Sequence, residues 1–275
     1  MNYRHSFHAG NSADVVKHAL LIALVRALQI KDSALTLIDT HAGCGLYDLY
    51  GDQAQRTGEA AQGVLRAFAD ANPLLDDYRS AVRAVNEGDG LRLYPGSPQF
   101  LAPLLRPQDL LILNEKHPED VKELRSVMRD TSAAVHQRDA YELWLAMVPV
   151  RTPRGVVVVD PPYEQTDERE RIVATLAAAH RKWAHGVTVI WYPLKERHTH
   201  VRWKERLRKT GIPKMLSIEH WLYDADQPGI YNGAGLFIVN PPYAFTQALP
   251  PMLEALRAAL APEGHRGTLG AEWLA

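Results

Sequence analysis

The sequence has a single cysteine, Cys44, among its 275 residues. One cysteine cannot form an intramolecular disulfide, and it excludes a zinc module built from several cysteines. His198 and His200 have no further acidic or cysteine ligands at zinc spacing, so we expect no metal site. This cysteine content is typical of a protein in a reducing, cytoplasmic setting.

Long apolar segments are also missing. The longest, residues 19–28, is interrupted by Arg26 and is far too short to cross a bilayer. Residues 1–10 are polar and contain no apolar signal-peptide region. The sequence therefore predicts a cytoplasmic protein with no membrane partner.

An excess of positive charge is missing as well, because the formal net charge is −1. Nucleic-acid-binding proteins are more often basic, although their positive charge can be segregated on one surface. One such run contains Lys195, Arg197, Arg202, Lys204, Arg206, Arg208, Lys209 and Lys214. Only Glu196 and Glu205 oppose it. The run forms either a solvated helix face or a patch for the RNA backbone, and the sequence leaves both open.

Short β-branched segments alternate with helical ones, which is typical of a doubly wound α/β sheet. The predicted strands are residues 34–39, 109–114, 133–137, 155–159, 187–192, 215–223 and 235–239. We expect the last two to form an antiparallel hairpin. Residues 244–275 should form a helix followed by loosely held chain.

Two helical regions are predicted outside this alternation. The first helix should run over residues 12–30, with Asn11 or Ser12 as its cap and Asp14 in its first turn. Residues 46–93 lack a clear buried strand, and their apolar side chains recur at helical spacing. We therefore expect one domain formed by residues 1–45 and 94–275, with 46–93 as an inserted helical subdomain.

Acidic side chains lie at the carboxyl ends of four predicted strands: Asp39, Glu115, Asp139 and Asp160. Ligands of open α/β sheets bind outside the carboxyl ends of the strands, although a single acid there is more often a helix cap. We expect Glu115 to bind ribose hydroxyls and Asp139 to accept from an adenine amino group.

The glycine-containing turn after the first strand allows a close approach between a ligand and the backbone at Gly43. The third position of a dinucleotide-binding fingerprint is occupied here by Asp48, whose charge would repel a pyrophosphate. The turn therefore favours a cationic or neutral ligand.

The most specific motif is Asp160-Pro161-Pro162-Tyr163, which follows a run of buried valines. Proline has no backbone donor, so the loop offers two rigid acceptors, the Asp160 carboxylate and the Pro161 carbonyl. They match the two N–H donors of an exocyclic amino group, and Tyr163 offers a face for stacking an extruded base. A similar motif begins at Asn240, but it ends the last predicted strand, so we interpret it as structural.

Four segments together resemble the RlmJ-type methyltransferases. The segments are Tyr3-Arg4-His5-Ser6-Phe7-His8-Ala9-Gly10-Asn11, Asp39-Thr40-His41-Ala42-Gly43, Tyr94-Pro95-Gly96-Ser97-Pro98 and Asp160-Pro161-Pro162-Tyr163. The resemblance runs from Tyr3 to about Pro242. It implies a class I S-adenosylmethionine-dependent methyltransferase fold, a Rossmann-like and mostly parallel sheet, here expected with seven strands and a small helical insertion.

The resemblance also implies an activity, the methylation of N6 of one adenine in large-subunit ribosomal RNA, with S-adenosylmethionine as the cofactor. Together with the residue analysis above, it assigns candidate site residues in three groups. Cofactor contacts are expected from Lys17, His18, His41, Gly43, Ser97, Glu115, Asp139, Ala140 and Asp160. Catalytic residues would be Asp160, Pro161 and Tyr163, and substrate RNA would contact Tyr3, His5 and Tyr163.

Two alternatives stay open at this point. The chain could be an amino-methyltransferase for DNA adenine or for protein glutamine, or a non-catalytic RNA-binding relic. For the favoured activity we expect a monomer that acts on protein-free or partly assembled large-subunit ribosomal RNA.

Overall fold

The computed structural model describes residues 5–88, 90–195, 197–223, 226, 232–261 and 267–275. Tyr3 lies outside these residues. The strands are β1 (Leu35–Asp39), β2 (Leu46–Asp48), β3 (Leu93–Pro95), β4 (Leu110–Asn114), β5 (Ala134–His136), β6 (Arg154–Val159), β7 (Val187–Leu194), β8 (Met215–Trp221), β9 (Gly233–Val239) and β10 (Thr268–Trp273). The α-helices are α1 (Ser12–Gln29), α2 (Asp52–Thr57), α3 (Val64–Ala69), α4 (Asp76–Ala84), α5 (Ser97–Leu101), α6 (Pro118–Val127), α7 (Ala140–Met147), α8 (Glu168–Lys182), α9 (Arg197–Arg208) and α10 (Tyr243–Leu260).

The main sheet has eight strands in the order β10-β8-β9-β7-β6-β1-β4-β5. The strands from β7 to β5 are mutually parallel, while β9, β8 and β10 pair antiparallel. Every residue of β1 is buried, as is every residue of β6 after Arg154, which is typical of strands covered on both faces. The expected α/β fold with a mostly parallel sheet is confirmed, and the main sheet has eight strands rather than seven.

The eighth strand is β10, in a segment that we expected to be loosely held. It pairs with β8 from Thr268↔Trp221 to Trp273↔Leu216. Five of its six residues are exposed, so no alternation of buried and exposed residues marks it in the sequence. The helix expected before it is present as α10, and the expected hairpin is present as β8 and β9.

The segment between β2 and β3 contains helices α2, α3 and α4, in agreement with its helical pattern. The two strands form a short antiparallel pair, which was not predicted because each strand has only three residues. Val64 and Tyr78 from this segment belong to the same hydrophobic core as Leu20 of α1 and Leu256 of α10. The division into a sheet domain and an insertion stays a prediction.

Strand direction determines which side chains share an edge of the sheet. The carboxyl ends of β1, β4, β5, β6 and β7 meet at one edge because these strands are parallel. Strand β9 runs the other way, so that Val239 pairs with Thr188 near the start of β7. Asn240 therefore lies at the edge opposite Asp160. Within the described residues, no helix is long and apolar enough to cross a membrane.

Candidate active site

A cavity of about 490 Å³ lies at the carboxyl edge of the sheet. It is lined by every candidate site residue that the structure describes. These are His5, Lys17, His18, His41, Gly43, Ser97, Glu115, Asp139, Ala140, Asp160, Pro161 and Tyr163. The strand-end acid Asp39 is fully buried and does not line the cavity. The residues selected from separate parts of the sequence thus form one site.

Asp160 follows β6 and is held by groups from two other elements. Its Oδ2 accepts a hydrogen bond from Nζ of Lys17 at 2.6 Å, and its backbone N–H donates to Nδ1 of His41 at 3.3 Å. Burial alone would lower the pKa of Lys17, but the carboxylates of Asp14 and Asp160 outweigh this effect and raise it. The carboxylate therefore faces a permanent positive charge on α1.

Tyr163 has an unusual backbone conformation, and its hydroxyl is held by a neighbouring strand. Its backbone has φ 53°, in the left-handed region that non-glycine residues rarely adopt. Its hydroxyl donates to the backbone oxygen of Trp191 in β7 at 2.6 Å. The ring thus spans from the loop after the two prolines to the neighbouring strand.

Glu115 follows β4, and the backbone fixes both of its oxygens. Oε2 accepts from the N–H of Gly43 at 3.0 Å, and Oε1 accepts from the N–H of His117 at 2.7 Å. Burial raises the pKa of this carboxyl above its ordinary value. Each oxygen keeps a lone pair for a ligand. Gly43 has φ 61°, and a Cβ there would lie 2.2 Å from the hydroxyl of Tyr47, so the tight turn requires glycine.

Asp139 follows β5 and caps helix α7, so it is both the helix cap and a cavity residue. Its Oδ1 accepts from the N–H of Tyr141 at 3.1 Å, and Ala140 is the first residue of the helix. Its Oδ2 pairs with Lys116 at 3.1 Å and with Arg171 at 3.5 Å. Burial would raise the pKa of Asp139, but the hydrogen bond from Lys116 and the helix amides lower it.

His18 presents a buried nitrogen without a protein partner. Its Nδ1 forms a hydrogen bond of 2.8 Å with the hydroxyl of Tyr94, and its ring stacks on Phe100 with centroids 4.4 Å apart. Nε2 is buried and has no hydrogen-bond partner among the described residues. Burial lowers the pKa of His18 well below its ordinary value. A neutral imidazole with one unsatisfied nitrogen thus lines the cavity.

Asp39 supports the cavity wall from behind. Its Oδ2 accepts from the hydroxyl of Ser97 at 2.5 Å, and its Oδ1 accepts from the N–H of His41 at 3.1 Å. Burial raises the pKa of Asp39 to about 6, although both hydrogen bonds act in the opposite direction. The fourth strand-end acid therefore positions two cavity residues and cannot itself touch a ligand there.

The cavity has an acidic lining. Its carboxylates are Asp14, Glu59, Glu115, Asp120, Asp139, Asp160, Glu164 and Glu168, and its lysines and arginines are Lys17, Lys116, Arg171 and Lys195. Among the residues that the structure describes, carboxylates thus outnumber these cations two to one. Such a lining attracts a cationic ligand and repels phosphate, in agreement with the ligand charge expected from the glycine turn.

Most of the helical part of the basic run is neutralised by ion pairs. Four of its eight basic residues contact acids, in the pairs Arg197–Asp226, Lys204–Glu219, Arg206–Glu170 and Arg208–Glu205. Lys195 is also exposed, and it differs from them because it lines the cavity. The basic run therefore offers less positive charge to a partner than its sequence indicates.

The second proline motif lies away from this site. The side-chain nitrogen of Asn240 donates to the backbone oxygens of Ala184 and Gly186, both at 2.9 Å. Tyr243 begins α10 and is 76% exposed. Asn240 thus ties the end of β9 to the turn before β7, in agreement with a structural role.

Comparison with known proteins identifies the family of this chain. The model of a family described as "Ribosomal RNA large subunit methyltransferase D, RlmJ" matches residues 32–275. The chain belongs to the RlmJ family. The resemblance seen in the four sequence motifs is thereby confirmed.

Two relatives and one solved structure align with almost the whole chain. The ribosomal RNA large subunit methyltransferase J of Escherichia coli (strain K12) is 38% identical over 96% of this chain and 95% of its own length. The protein of the same name from Haemophilus influenzae is 35% identical over 100% of this chain and 99% of its own length. The crystal structure of protein LPL1258 from Legionella pneumophila superposes with a TM-score of 0.87 at 31% identity, covering 97% of this chain and 98% of that one.

Several cavity residues were not identified as site residues from the sequence of this RlmJ-family protein. Asp14 was interpreted only as a helix-dipole residue, although its i,i+3 spacing from Lys17 was a signal for an ion pair. Tyr141 and Glu168, which form a hydrogen bond, gave no such signal because they lie on different helices. Their proximity depends on the packing of α7 against α8.

Proposed function

We propose that this RlmJ-family protein transfers a methyl group from S-adenosylmethionine to N6 of one adenine in large-subunit ribosomal RNA. The observation that carries the proposal is the position of the Asp160-Pro161-Pro162-Tyr163 loop. It lies on the same cavity as two anchored carboxylates, Glu115 and Asp139. Under this proposal, acceptors for the target amino group would lie beside acceptors for a nucleoside cofactor.

The residues of the cavity fit S-adenosylmethionine. A volume of about 490 Å³ lies in the range of small-molecule sites. Glu115 would hold the ribose hydroxyls of the cofactor, and Asp139 with Ala140 would hold its adenine. The unsatisfied Nε2 of His18 would form a hydrogen bond with the amino-acid part of the cofactor. The acidic lining suits the cofactor's positive sulfonium, which supplies an electrophilic methyl group.

The chain's own contribution is to bind and orient the target amino group. The Oδ1 of Asp160 has no hydrogen-bond partner among the described residues, whereas Oδ2 is occupied by Lys17. Oδ1 and the Pro161 carbonyl would accept the two N–H groups of N6, which directs the nitrogen lone pair toward the methyl group. Tyr163 would stack on the base. Alignment of this kind supplies much of the rate acceleration in group transfer.

The RNA must present an unpaired or extruded adenine, because duplex RNA hides its base edges. Phosphates would be repelled by the acidic lining, so the RNA backbone should be contacted at the rim, where Lys195 lies. We propose that the protein acts as a monomer in the cytoplasm, on protein-free or partly assembled ribosomal RNA. In the mature subunit, folded RNA and proteins would restrict access to the base.

A substrate panel tests this proposal. Purified protein is incubated with labelled S-adenosylmethionine and, in turn, ribosomal RNA, duplex DNA and cell protein. We expect label only in large-subunit ribosomal RNA, recovered as N6-methyladenosine. Label in DNA or in protein glutamine would contradict the proposed RNA substrate and identify DNA or protein as the substrate instead. Cofactor binding without any transfer would favour a non-catalytic RNA-binding protein.

A further inference from the structure

Asp14 is a buried carboxylate that joins the N-terminal segment to the proposed catalytic loop. It lies in the first turn of α1 and is 3% exposed. Its Oδ2 accepts from Nε2 of His5 at 2.9 Å and from the N–H of Gly10 at 3.0 Å, and its Oδ1 contacts Nζ of Lys17 at 3.0 Å. Lys17 in turn donates to Asp160 at 2.6 Å. The chain of contacts thus runs from an expected substrate contact to the expected catalytic acceptor.

The charges in this chain of contacts are unequal. One ammonium, on Lys17, lies between two carboxylates, Asp14 and Asp160. Without Asp14, the Lys17 ammonium would have one carboxylate partner, Asp160. Because the lysine side chain is long and flexible, a single contact does not fix the position of the ammonium. The second carboxylate fixes the ammonium between them and keeps the group of three net negative.

We propose that Asp14 is a positioning residue for methyl transfer, which holds Lys17 against Oδ2 of Asp160 and keeps His5 at the cavity. Oδ1 of Asp160 is then left to accept from the target amino group. This inference rests on the proposed function and goes beyond it, because it assigns a role to a residue to which the proposed function gives none. The net negative charge also suits an amino group that becomes more positive as it is methylated.

A purely structural role for Asp14 predicts a different result. Asn11 already caps α1, since its side chain accepts from the N–H of Asp14 at 2.9 Å. If Asp14 only supported the turn at Gly10, the Asp14→Asn variant would keep an acceptor for that N–H. Folded variant protein would then transfer methyl groups at the normal rate. If Asp14 positions Lys17, the amide nitrogen faces an ammonium, and the contact is lost.

The experiment compares the Asp14→Asn variant with the Asp109→Asn variant. Asp109 is a matched control because it is also buried, accepts from the N–H of Leu35 and pairs with Arg106. It precedes β4 at the opposite edge of the sheet. For each protein we measure thermal unfolding, affinity for S-adenosylmethionine, kcat on RNA, and the ¹H–¹⁵N signal of the Lys17 ammonium in the protein without ligands.

We expect Asp14→Asn to lower kcat about 100-fold, the effect of misplacing a reacting group by roughly 1 Å. Cofactor affinity should fall much less than kcat, because Glu115 and Asp139 keep their positions, and the Lys17 signal should shift and exchange faster with water. Asp109→Asn should lower the unfolding temperature and keep both kcat and the Lys17 signal. If Asp14→Asn does not fold, Asp14→Ser serves in its place, since serine keeps an uncharged acceptor near Gly10.

Two outcomes contradict different statements. Normal kcat and an unchanged Lys17 signal in folded Asp14→Asn protein would overturn the positioning role. Absence of methyl transfer to RNA by the wild-type protein would overturn the proposed function instead. In that case the ammonium signal still shows whether Asp14 holds Lys17.

Discussion

Replacement of Glu115 by alanine tests the proposed cofactor site. Its carboxylate is oriented by the N–H groups of Gly43 and His117, so its remaining lone pairs have a fixed direction. A hydrogen bond to a charged group contributes about 1.5–3 kcal/mol. At about 1.4 kcal/mol per tenfold change in affinity, the loss of one such bond to a ribose hydroxyl lowers the affinity for S-adenosylmethionine about 10- to 100-fold. Isothermal titration measures this affinity directly.

The same replacement affects stability, because two backbone N–H groups lose their acceptor. We expect a lower unfolding temperature, by about 2–4 °C for each kcal/mol lost in a chain of this size. Glu123→Ala is the matched control, since Glu123 is exposed on α6 and does not line the cavity. RNA affinity should change little in either variant. Unchanged cofactor affinity in folded Glu115→Ala protein would refute the assignment of this carboxylate to the ribose.

Three further predictions concern the turn at Gly43, the buried acid Asp39 and Lys195 at the rim of the cavity. Gly43→Ala should destabilise the protein by about 1–3 kcal/mol, because alanine is strained in the left-handed backbone conformation of residue 43. It should also lower the affinity for S-adenosylmethionine. Gly58→Ala has a similar φ of 63° but meets no atom within 4 Å, so equal effects in the two variants would contradict a role for the clash at residue 43. The raised pKa of Asp39, about 6, means that its stabilising contribution is present below the unfolded value and is lost as pH rises through 6. Asp39→Asn should therefore gain stability relative to wild type between pH 4 and pH 7, and denaturant titrations that show a constant difference would disprove this. Lys195→Met should reduce the slope of log affinity for RNA against log salt by about 0.7, whereas Arg206→Met, which removes an ion-paired side chain, should leave it unchanged. An identical slope in wild type and Lys195→Met would place the RNA path elsewhere.

The sheet and the cavity were largely predictable because they depend on local patterns. Continuous apolar runs identified the central strands, and parallel strands bring their carboxyl ends to one edge, so the acids that follow them converge. This is why Glu115, Asp139 and Asp160 were expected to meet, and they do. The family and the fold class, both expected from the sequence, are confirmed.

The remaining features depend on packing that the sequence does not express locally. Asp39 is the last residue of β1 and lies near the same edge as the other acids, but Ser97 and His41 cover it, so it lies behind the cavity wall. Strand β10 escaped prediction because an exposed edge strand needs no apolar alternation. The sequence left the role of the basic run open, because the acids that pair with it, such as Glu170 and Glu219, come from other elements.

The most direct test of the central claim compares the two proline motifs in one methyl-transfer assay. Wild-type, Asp160→Ala and Asn240→Ala proteins are incubated with labelled S-adenosylmethionine and protein-free large-subunit ribosomal RNA, and the RNA is digested to nucleosides. Wild type and folded Asn240→Ala protein should yield N6-methyladenosine, while Asp160→Ala should yield none although it keeps its fold. Near-normal N6-methyladenosine from Asp160→Ala, or its complete loss in Asn240→Ala with fold and cofactor binding intact, would contradict the account.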